Sequence, residues 1–267
     1  MLEEKIADAV LNKVKQFTVG FGRAGETPAA KGSGVLIRYG EISGILTCAH
    51  VENHLHELNR PVGLLRFNRG LTEQFGILNL EEVASFVVGN APWDDQNLAF
   101  IHLPPHLIGN IEKDVVSLDI EKNSTKPEPN DFSSLIRGHA VFGLVEALTG
   151  ETTRQNGRAV TLLRGVMAPG ELRDFNPSTA TLECFETNLA DLPHSFGGTS
   201  GGGLWRVYLR KNEDESFEVI HYRLIGIASR ETKGVVPPRI MCQSIGLVEG
   251  LLENVRKDLG QGITSAL

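Results

Sequence analysis

A glycine-rich stretch around one serine is the part of this chain best suited to chemistry. Residues 197–203 read Gly-Gly-Thr-Ser-Gly-Gly-Gly, with Ser200 in the middle. Glycine tolerates positive φ, so such a turn can expose a hydroxyl and aim successive backbone N–H groups into one concavity. N–H groups aimed in this way stabilise the oxyanion that develops during acyl transfer. Ser200 is therefore a candidate nucleophile, although a flexible loop has the same composition, and a serine nucleophile also needs a base.

A candidate base lies far upstream, where residues 44–51 read Gly-Ile-Leu-Thr-Cys-Ala-His-Val. The apolar, β-like run delivers His50 to its end, and a rigid strand can aim an imidazole. A histidine in such a place is also commonly a hydrogen-bonded structural residue. Taken together, His50 and Ser200 predict a general base and its nucleophile.

Five segments of the chain, in order, resemble the trypsin-like (chymotrypsin-fold) serine peptidases. The signatures of that family around the base and the nucleophile are Thr-Ala-Ala-His and Gly-Asp-Ser-Gly-Gly. Residues 47–50 and 198–202 are similar to these two signatures, and residues 32–37, 98–101 and 224–229 are similar to the segments around them. The likeness is to bacterial and intracellular members and not to the disulfide-rich secreted enzymes.

The resemblance implies both a fold and a reaction. The fold would be all-β, with two antiparallel six-stranded β-barrels and helices at the N- and C-termini. The reaction would be that of a serine endopeptidase, in which Ser200 attacks the carbonyl and His50 takes up its proton. The N–H groups of Gly198 and Ser200 would form the oxyanion hole, and no metal or organic cofactor is expected.

The third catalytic position departs from the family pattern of Asp-Leu/Ile-Ala. Here residues 97–99 read Asn-Leu-Ala, which places an amide where a carboxylate would orient the imidazole. Asp94 and Asp95 precede this position, and Asp95 shares strand parity with Asn97, so a bulge could bring Asp95 to His50 instead. The substitution also opens an alternative: a pseudo-peptidase that binds a peptide or protein partner in the same cleft without efficient catalysis.

The resemblance assigns the substrate-binding wall as well. The base of the specificity pocket falls at His194, with Ser229, Arg230 and Glu231 along the wall, and this set matches no familiar specificity class. Glu231 could attract a basic side chain, or it could form a surface ion pair with Arg230 or Arg223. Thr199 replaces the aspartate that pairs with a newly cut N-terminus, so a site formed without proteolytic activation is expected.

A competing interpretation is the Gly-x-Ser-x-Gly elbow of the α/β-hydrolases, which residues 198–202 also fit. That fold requires a helix directly after the serine, whereas residues 204–209 are rich in strand formers. It also requires an acid and then a histidine downstream, where His221 is the only histidine after Ser200 and Asp214 the only aspartate between them. The sequence does not favour this elbow.

The elements that position these residues follow from hydrophobic periodicity. An amphipathic helix is predicted in the first 17 residues and another within residues 244–267. Residues 18–120 should form the first barrel, which carries His50 and Asn97, and residues 132–243 the second, which carries Ser200. Between them, residues 121–131 are polar and proline-containing and predict a linker.

Composition restricts the remaining possibilities. A net charge of −7 argues against a nucleic-acid partner, and no run of 18 apolar residues predicts a membrane span. Cys48, Cys184 and Cys242 have neither metal-ligand nor disulfide-framework spacing, and the start of the chain lacks a secretory signal pattern. We therefore expect a cytoplasmic protein with free thiols that acts on a protein or peptide; the sequence leaves its oligomeric state open.

Overall fold

The computed structural model describes most of the chain. The described residues are 2–23, 29–68, 71–89, 96–129, 134–155, 158–161, 163–185, 196–232 and 234–264. The α-helices are α1 (Leu2–Val14), α2 (Ala49–Glu57), α3 (Pro105–Ile111), α4 (Ile120–Thr125) and α5 (Ile245–Thr264). Short 3₁₀ helices span Lys15–Phe17, Leu80–Glu82 and Glu146–Leu148.

The strands are more numerous and nearly all antiparallel. They are β1 (Thr18–Arg23), β2 (Ala29–Tyr39), β3 (Ile42–Thr47), β4 (Val62–Asn68), β5 (Leu71–Leu78), β6 (Ala84–Val88), β7 (Leu98–His102), β8 (Leu118–Asp119), β9 (Leu135–Val145), β10 (Thr152–Gln155), β11 (Arg158–Thr161), β12 (Arg164–Arg173), β13 (Thr179–Cys184), β14 (Gly203–Lys211), β15 (Phe217–Thr232) and β16 (Arg239–Ser244). This content, with helices at both ends of the described chain, confirms the all-β prediction.

The second half closes into a barrel of six antiparallel strands. Its strands follow the order β13-β16-β15-β14-β9-β12, and β12 pairs again with β13 to complete the ring. Strand β12 serves both neighbours because it pairs with β9 from Arg164 to Gly170 and with β13 from Gly170 onward. A Cβ on Gly170 would lie 2.3 Å from the carbonyl oxygen of Glu183, so glycine permits this corner. Closure leaves the six described strands of this barrel without a free edge.

The first half has seven strands in a row, in the order β5-β4-β1-β2-β3-β7-β6, with the short β8 parallel to β2. Six strands were predicted here, and the outermost of the seven in this row is β6. It pairs along the whole of β7, from Ala84 opposite His102 to Val88 opposite Leu98. A single pairing between Arg164 and Leu71 connects the two halves into one continuous path of strands.

Two apolar cores stabilise this arrangement. The larger is shared by the first half, both terminal helices and one face of the second half, where Trp205 is fully buried. The smaller fills the closed barrel, with Leu182, Leu204 and Ile225 among its members. Helix α1 packs on the larger core through Val10 and Val14, as its periodicity predicts. Because the larger core crosses the two halves, it fixes the relative positions of the residues at their junction.

The predicted linker begins inside helix α4 and continues through residues 126–129, while residues 130 and 131 lie outside the described part. The side chain of Glu128 ties this segment to the closed barrel. It accepts hydrogen bonds from Tyr208 Oη at 2.5 Å and Arg206 Nη1 at 2.9 Å. In the described ranges, no helix has both the length and the apolar character needed to cross a membrane.

Candidate active site

Ser200 lies on a tight turn directly before strand β14. Gly198 and Gly201 flank it with φ of +92° and +86°, a conformation that other residues rarely adopt. A Cβ on Gly201 would lie 1.9 Å from the carbonyl oxygen of Ser33, so only glycine fits there. The turn runs into a strand and not into a helix, which excludes the α/β-hydrolase elbow.

His50 lies in the first turn of α2, three residues after strand β3 ends. The sequence predicted a histidine at a strand end, but not the helix that follows. Val51 and Leu55 are buried one helical turn apart and are what anchor that helix to the first half. Burial lowers the pKa of His50 below 6.5, and the nearby His54 adds to this effect, while the hydrogen bond with Asn97 opposes it. The imidazole is therefore neutral at pH 7, as a general base must be.

Asn97, rather than an aspartate, contacts the imidazole. Its side chain is fully buried, and its Oδ1 accepts the backbone N–H of His50 at 3.2 Å. Its Nδ2 lies 2.8 Å from His50 Nδ1, and its Oδ1 lies 3.2 Å from the same nitrogen. Asn97 thus occupies the place of the third member. Asp94 and Asp95 lie outside the described residues.

The amide of Asn97 presents both a donor and an acceptor to His50, and its orientation bears on which ring nitrogen carries the proton. With Oδ1 on the backbone N–H, Nδ2 donates to Nδ1, and the proton of the neutral ring then resides on Nε2. In that tautomer Nε2 is a donor and cannot take a proton from Ser200. If the amide is flipped, Oδ1 accepts the N–H of Nδ1 and leaves Nε2 free to take a proton. Nδ2 then faces the backbone N–H of His50, so two donors face each other. A carboxylate would accept both hydrogen bonds at once.

Ser200 and His50 face the same cavity, which has a volume of about 290 Å³. Its lining consists of Ala30, Lys31, Gly32, His50, Val51, His54, Glu146, Gly198 and Ser200. Within it, Ser200 Oγ donates a hydrogen bond to the carbonyl oxygen of Ser229 at 3.0 Å. A change of rotamer is therefore needed before the hydroxyl can donate to His50.

Every carbonyl of the turn from Phe196 to Ser200 is occupied. The carbonyl of Phe196 accepts the N–H and Oγ1 of Thr199, and that of Gly197 accepts the N–H of Glu146. The carbonyl of Gly198 accepts Ser33 Oγ. The carbonyls of Thr199 and Ser200 accept the N–H groups of Gly202 and Ser33, respectively. Among the described residues, by contrast, nothing accepts the N–H of Gly198 or the N–H of Ser200. Both residues line the cavity. This is the arrangement expected of an oxyanion hole.

The predicted substrate-binding residues have structural partners of their own. Ser229 is buried, and its Oγ donates to the carbonyl oxygen of Met241 at 2.9 Å. Glu231 Oε2 accepts the backbone N–H of Phe196 at 2.9 Å, so its carboxylate bridges from β15 to the start of the nucleophile turn. Arg223 lies instead beside Glu128, with 3.6 Å between Nη1 and Oε1. Arg230 is in β15, and His194 lies outside the described residues.

All three cysteines are free and buried. Cys48 Sγ donates to the carbonyl oxygen of Ala228 at 2.9 Å, and burial raises the pKa of its thiol to about 12. Burial raises the pKa of Cys184 to about 12 as well, and that of Cys242 far above its usual value. Thiols in this state are poor nucleophiles, so Cys48 does not compete with Ser200.

Comparison with known proteins adds little to this geometry. No family model matches the chain, and none of the curated proteins matches it. Among solved structures, a chain from work on the coupled folding and binding of the intrinsically disordered Sesbania mosaic virus VPg protein is similar over 86% of each chain. The two are 11% identical, with a TM-score of 0.41. A likeness this distant carries no information about function.

Proposed function

We propose that this chain is a trypsin-like serine endopeptidase that hydrolyses peptide bonds through an acyl-enzyme on Ser200. One observation carries the proposal: Ser200, His50 and Gly198 line one cavity, and the N–H groups of Gly198 and Ser200 have no acceptor among the described residues. A nucleophile, a neutral base and preset oxyanion donors are the three parts that acyl transfer requires.

In the proposed mechanism, Ser200 Oγ leaves the carbonyl of Ser229 and turns to His50. Nε2 of His50 takes the hydroxyl proton as Oγ attacks the substrate carbonyl, and later gives it to the leaving amine. The N–H groups of Gly198 and Ser200 receive the oxyanion. Each such donor, fixed in advance, stabilises the transition state by about 3 kcal/mol. These steps use side chains and backbone alone.

Peptide or protein substrates suit the site better than nucleic acid. The net charge of the chain is −7, which opposes a phosphate backbone. The third member, Asn97, has the contacts of an orienting group but lacks the charge that stabilises an imidazolium. We therefore propose an enzyme with a weakened site. We also propose a cytoplasmic location, which the three free thiols support.

A pseudo-peptidase is the second candidate, and the Asn97 amide is the observation that favours it. In the orientation seen here, the amide selects the tautomer in which Nε2 carries the proton. The site would then bind a peptide or protein partner in the cleft with little turnover. The proposal of an enzyme requires that the other tautomer is populated well enough to react.

Labelling with a fluorophosphonate separates the two candidates. The full-length chain should react at Ser200, as identified by mass spectrometry of the labelled peptide, whereas Ser200→Ala should not react. A chain that is folded by circular dichroism but stays unlabelled would contradict the enzyme. In that case, labelling that appears on Asn97→Asp would favour the pseudo-peptidase, because it would show a complete site that lacks only the carboxylate.

A further inference from the structure

Ser33 is a fully buried serine in β2 whose hydroxyl lies between the two halves of the molecule. Its Oγ accepts the backbone N–H of Leu144 at 2.7 Å and donates to the carbonyl oxygen of Gly198 at 3.0 Å. Both functions of the hydroxyl are thus used, one on strand β9 and one on the nucleophile turn.

The backbone of Ser33 holds the same turn a second time. Its N–H donates to the carbonyl oxygen of Ser200 at 2.9 Å, and its own carbonyl accepts Thr47 Oγ1 at 2.7 Å. Ser33 therefore contacts the carbonyls of Gly198 and Ser200, on either side of Thr199. These two residues also line the cavity, and their N–H groups have no acceptor among the described residues.

The orientation of those N–H groups depends on where the carbonyls of the turn are held. Gly198 has a φ of +92°, and glycine moves between this region and negative φ with little steric cost. The carbonyl of Gly198 shares a planar peptide unit with the N–H of Thr199, and the N–H of Gly198 shares one with the carbonyl of Gly197, which accepts the N–H of Glu146. Rotation of the Gly198–Thr199 unit would change the dihedral angles of Gly198 and release the turn that carries both N–H groups. The Ser33 hydroxyl opposes that rotation, because the carbonyl would lose its donor in a buried setting.

We propose that Ser33 is a positioning residue: its hydroxyl holds the nucleophile turn in the orientation that aims the N–H groups of Gly198 and Ser200 at the reacting carbonyl. The inference deepens the proposed peptidase function and rests on it for its kinetic consequence. Its structural consequence, an ordered turn, holds whether or not the chain turns over a substrate.

The test compares full-length wild type with Ser33→Ala, each with and without Asn97→Asp, using hydrolysis of a p-nitrophenyl ester. Loss of the hydroxyl should lower kcat by about 10- to 100-fold, somewhat less than removal of an oxyanion donor, and change KM by less than about 2-fold. A hydroxyl that only stabilises the core would leave kcat of the folded fraction unchanged.

Hydrogen exchange provides a readout that needs no activity. The N–H groups of Thr199 and Gly202 are bonded within the turn. In Ser33→Ala their exchange should become about 10-fold faster relative to amides of the closed barrel, because the turn opens locally. The matched control is Thr18→Val, which removes another buried hydroxyl, the one that donates to the carbonyl of Val14 at 3.1 Å. It should leave both the turn exchange and kcat as in wild type.

The outcomes distinguish the two proposals. Faster turn exchange in Ser33→Ala without ester hydrolysis by any variant would support the positioning role and contradict the peptidase. Hydrolysis by wild type with the same kcat and the same turn exchange in Ser33→Ala would overturn the positioning role and leave the peptidase standing. If Ser33→Ala does not fold, Ser33→Cys replaces it, since a thiol is a weaker donor. A lower kcat and faster turn exchange in Ser33→Cys than in wild type support the positioning role, and a kcat and exchange rates equal to those of wild type overturn it.

Discussion

The two sides of the candidate site differ in how completely their hydrogen bonds are specified. On the nucleophile side, all five carbonyls from Phe196 to Ser200 have donors, and the N–H groups of Gly198 and Ser200, which line the cavity, have no acceptor among the described residues. On the base side, Asn97 Oδ1 accepts the backbone N–H of His50, and both amide atoms of Asn97 lie within hydrogen-bond distance of Nδ1. The comparison teaches that the donors proposed for the oxyanion and the group proposed to orient the base are specified independently: hydrogen bonds fix the turn that carries the first, whereas the contacts of the second admit more than one arrangement.

Asn97→Asp is expected to have the largest effect. A carboxylate accepts both N–H groups of His50, frees Nε2 and stabilises the imidazolium, so turnover should rise by up to about 10⁴-fold, the size of the loss known for the reverse change. The rise in turnover is measured by ester hydrolysis, and the accompanying rise in Ser200 reactivity by the rate of fluorophosphonate labelling. Unchanged turnover in Asn97→Asp, together with loss of activity in Asp95→Ala, would show that Asp95 is the third member.

Gly198→Ala tests the nucleophile side. A Cβ there would lie 3.0 Å from the N–H nitrogen of Glu146 and 3.1 Å from the carbonyl oxygen of Leu144, at a φ of +92°. The turn must shift, so labelling should slow by about 10²- to 10³-fold, as for loss of an oxyanion donor. Gly250→Ala in α5 is the control, because its Cβ would meet nothing within 4 Å. It should keep wild-type labelling and gain about 0.5–1 kcal/mol in free energy of unfolding. If Gly198→Ala is labelled as fast as wild type, the assignment of the Gly198 N–H to the oxyanion hole is wrong.

Glu231→Ala removes the acceptor for the N–H of Phe196, which is one tie of the turn among several. A fall in labelling rate of about 3- to 10-fold is expected, corresponding to the roughly 1 kcal/mol that one hydrogen bond contributes. Glu231→Gln keeps an acceptor oxygen and should stay within about 2-fold of wild type. If both variants fall equally, the charge of Glu231 matters to the site and not its hydrogen bond.

The pH dependence of labelling should show the smallest effect and reports on the base side. Only neutral His50 can act as a base, so the rate is lost as pH falls through its pKa. Burial lowers that pKa, which places the midpoint of the acid limb below pH 6.5 in wild type. A carboxylate favours the charged ring, so Asn97→Asp should move the midpoint upward. A midpoint above 6.5 in wild type, or a downward shift in the variant, would contradict this account.

Much of the strand layout could be predicted from the sequence. The apolar, β-like run that leads to His50 predicted a strand, and β3 lies there at Ile42–Thr47, after a turn at Gly40 with a φ of +55°. Periodicity also predicted α1 and α5, since each buries one stripe of side chains. Helices α2 and α4 were missed because they are short, and α4 lies in a polar stretch whose composition predicts a loop.

The details of the site were less accessible. Motif resemblance singled out Ser200, His50, Asn97 and the segment that contains Ser33. It gave no role to the Ser33 hydroxyl, whose partners are 111 and 165 positions away along the chain. The proton position on His50 depends on which atom of the Asn97 amide faces which nitrogen, and residue identity does not contain that information.

The contact between Ser33 and Gly198 also bears on how the protein is made. Domains emerge from the ribosome N-terminal part first, so β2 is available long before the nucleophile turn leaves the exit tunnel. The turn then acquires its final shape only by docking on a strand synthesised 165 residues earlier. A nascent chain that has not yet been extended past the turn therefore lacks this contact, and the turn has no strand β14 to run into.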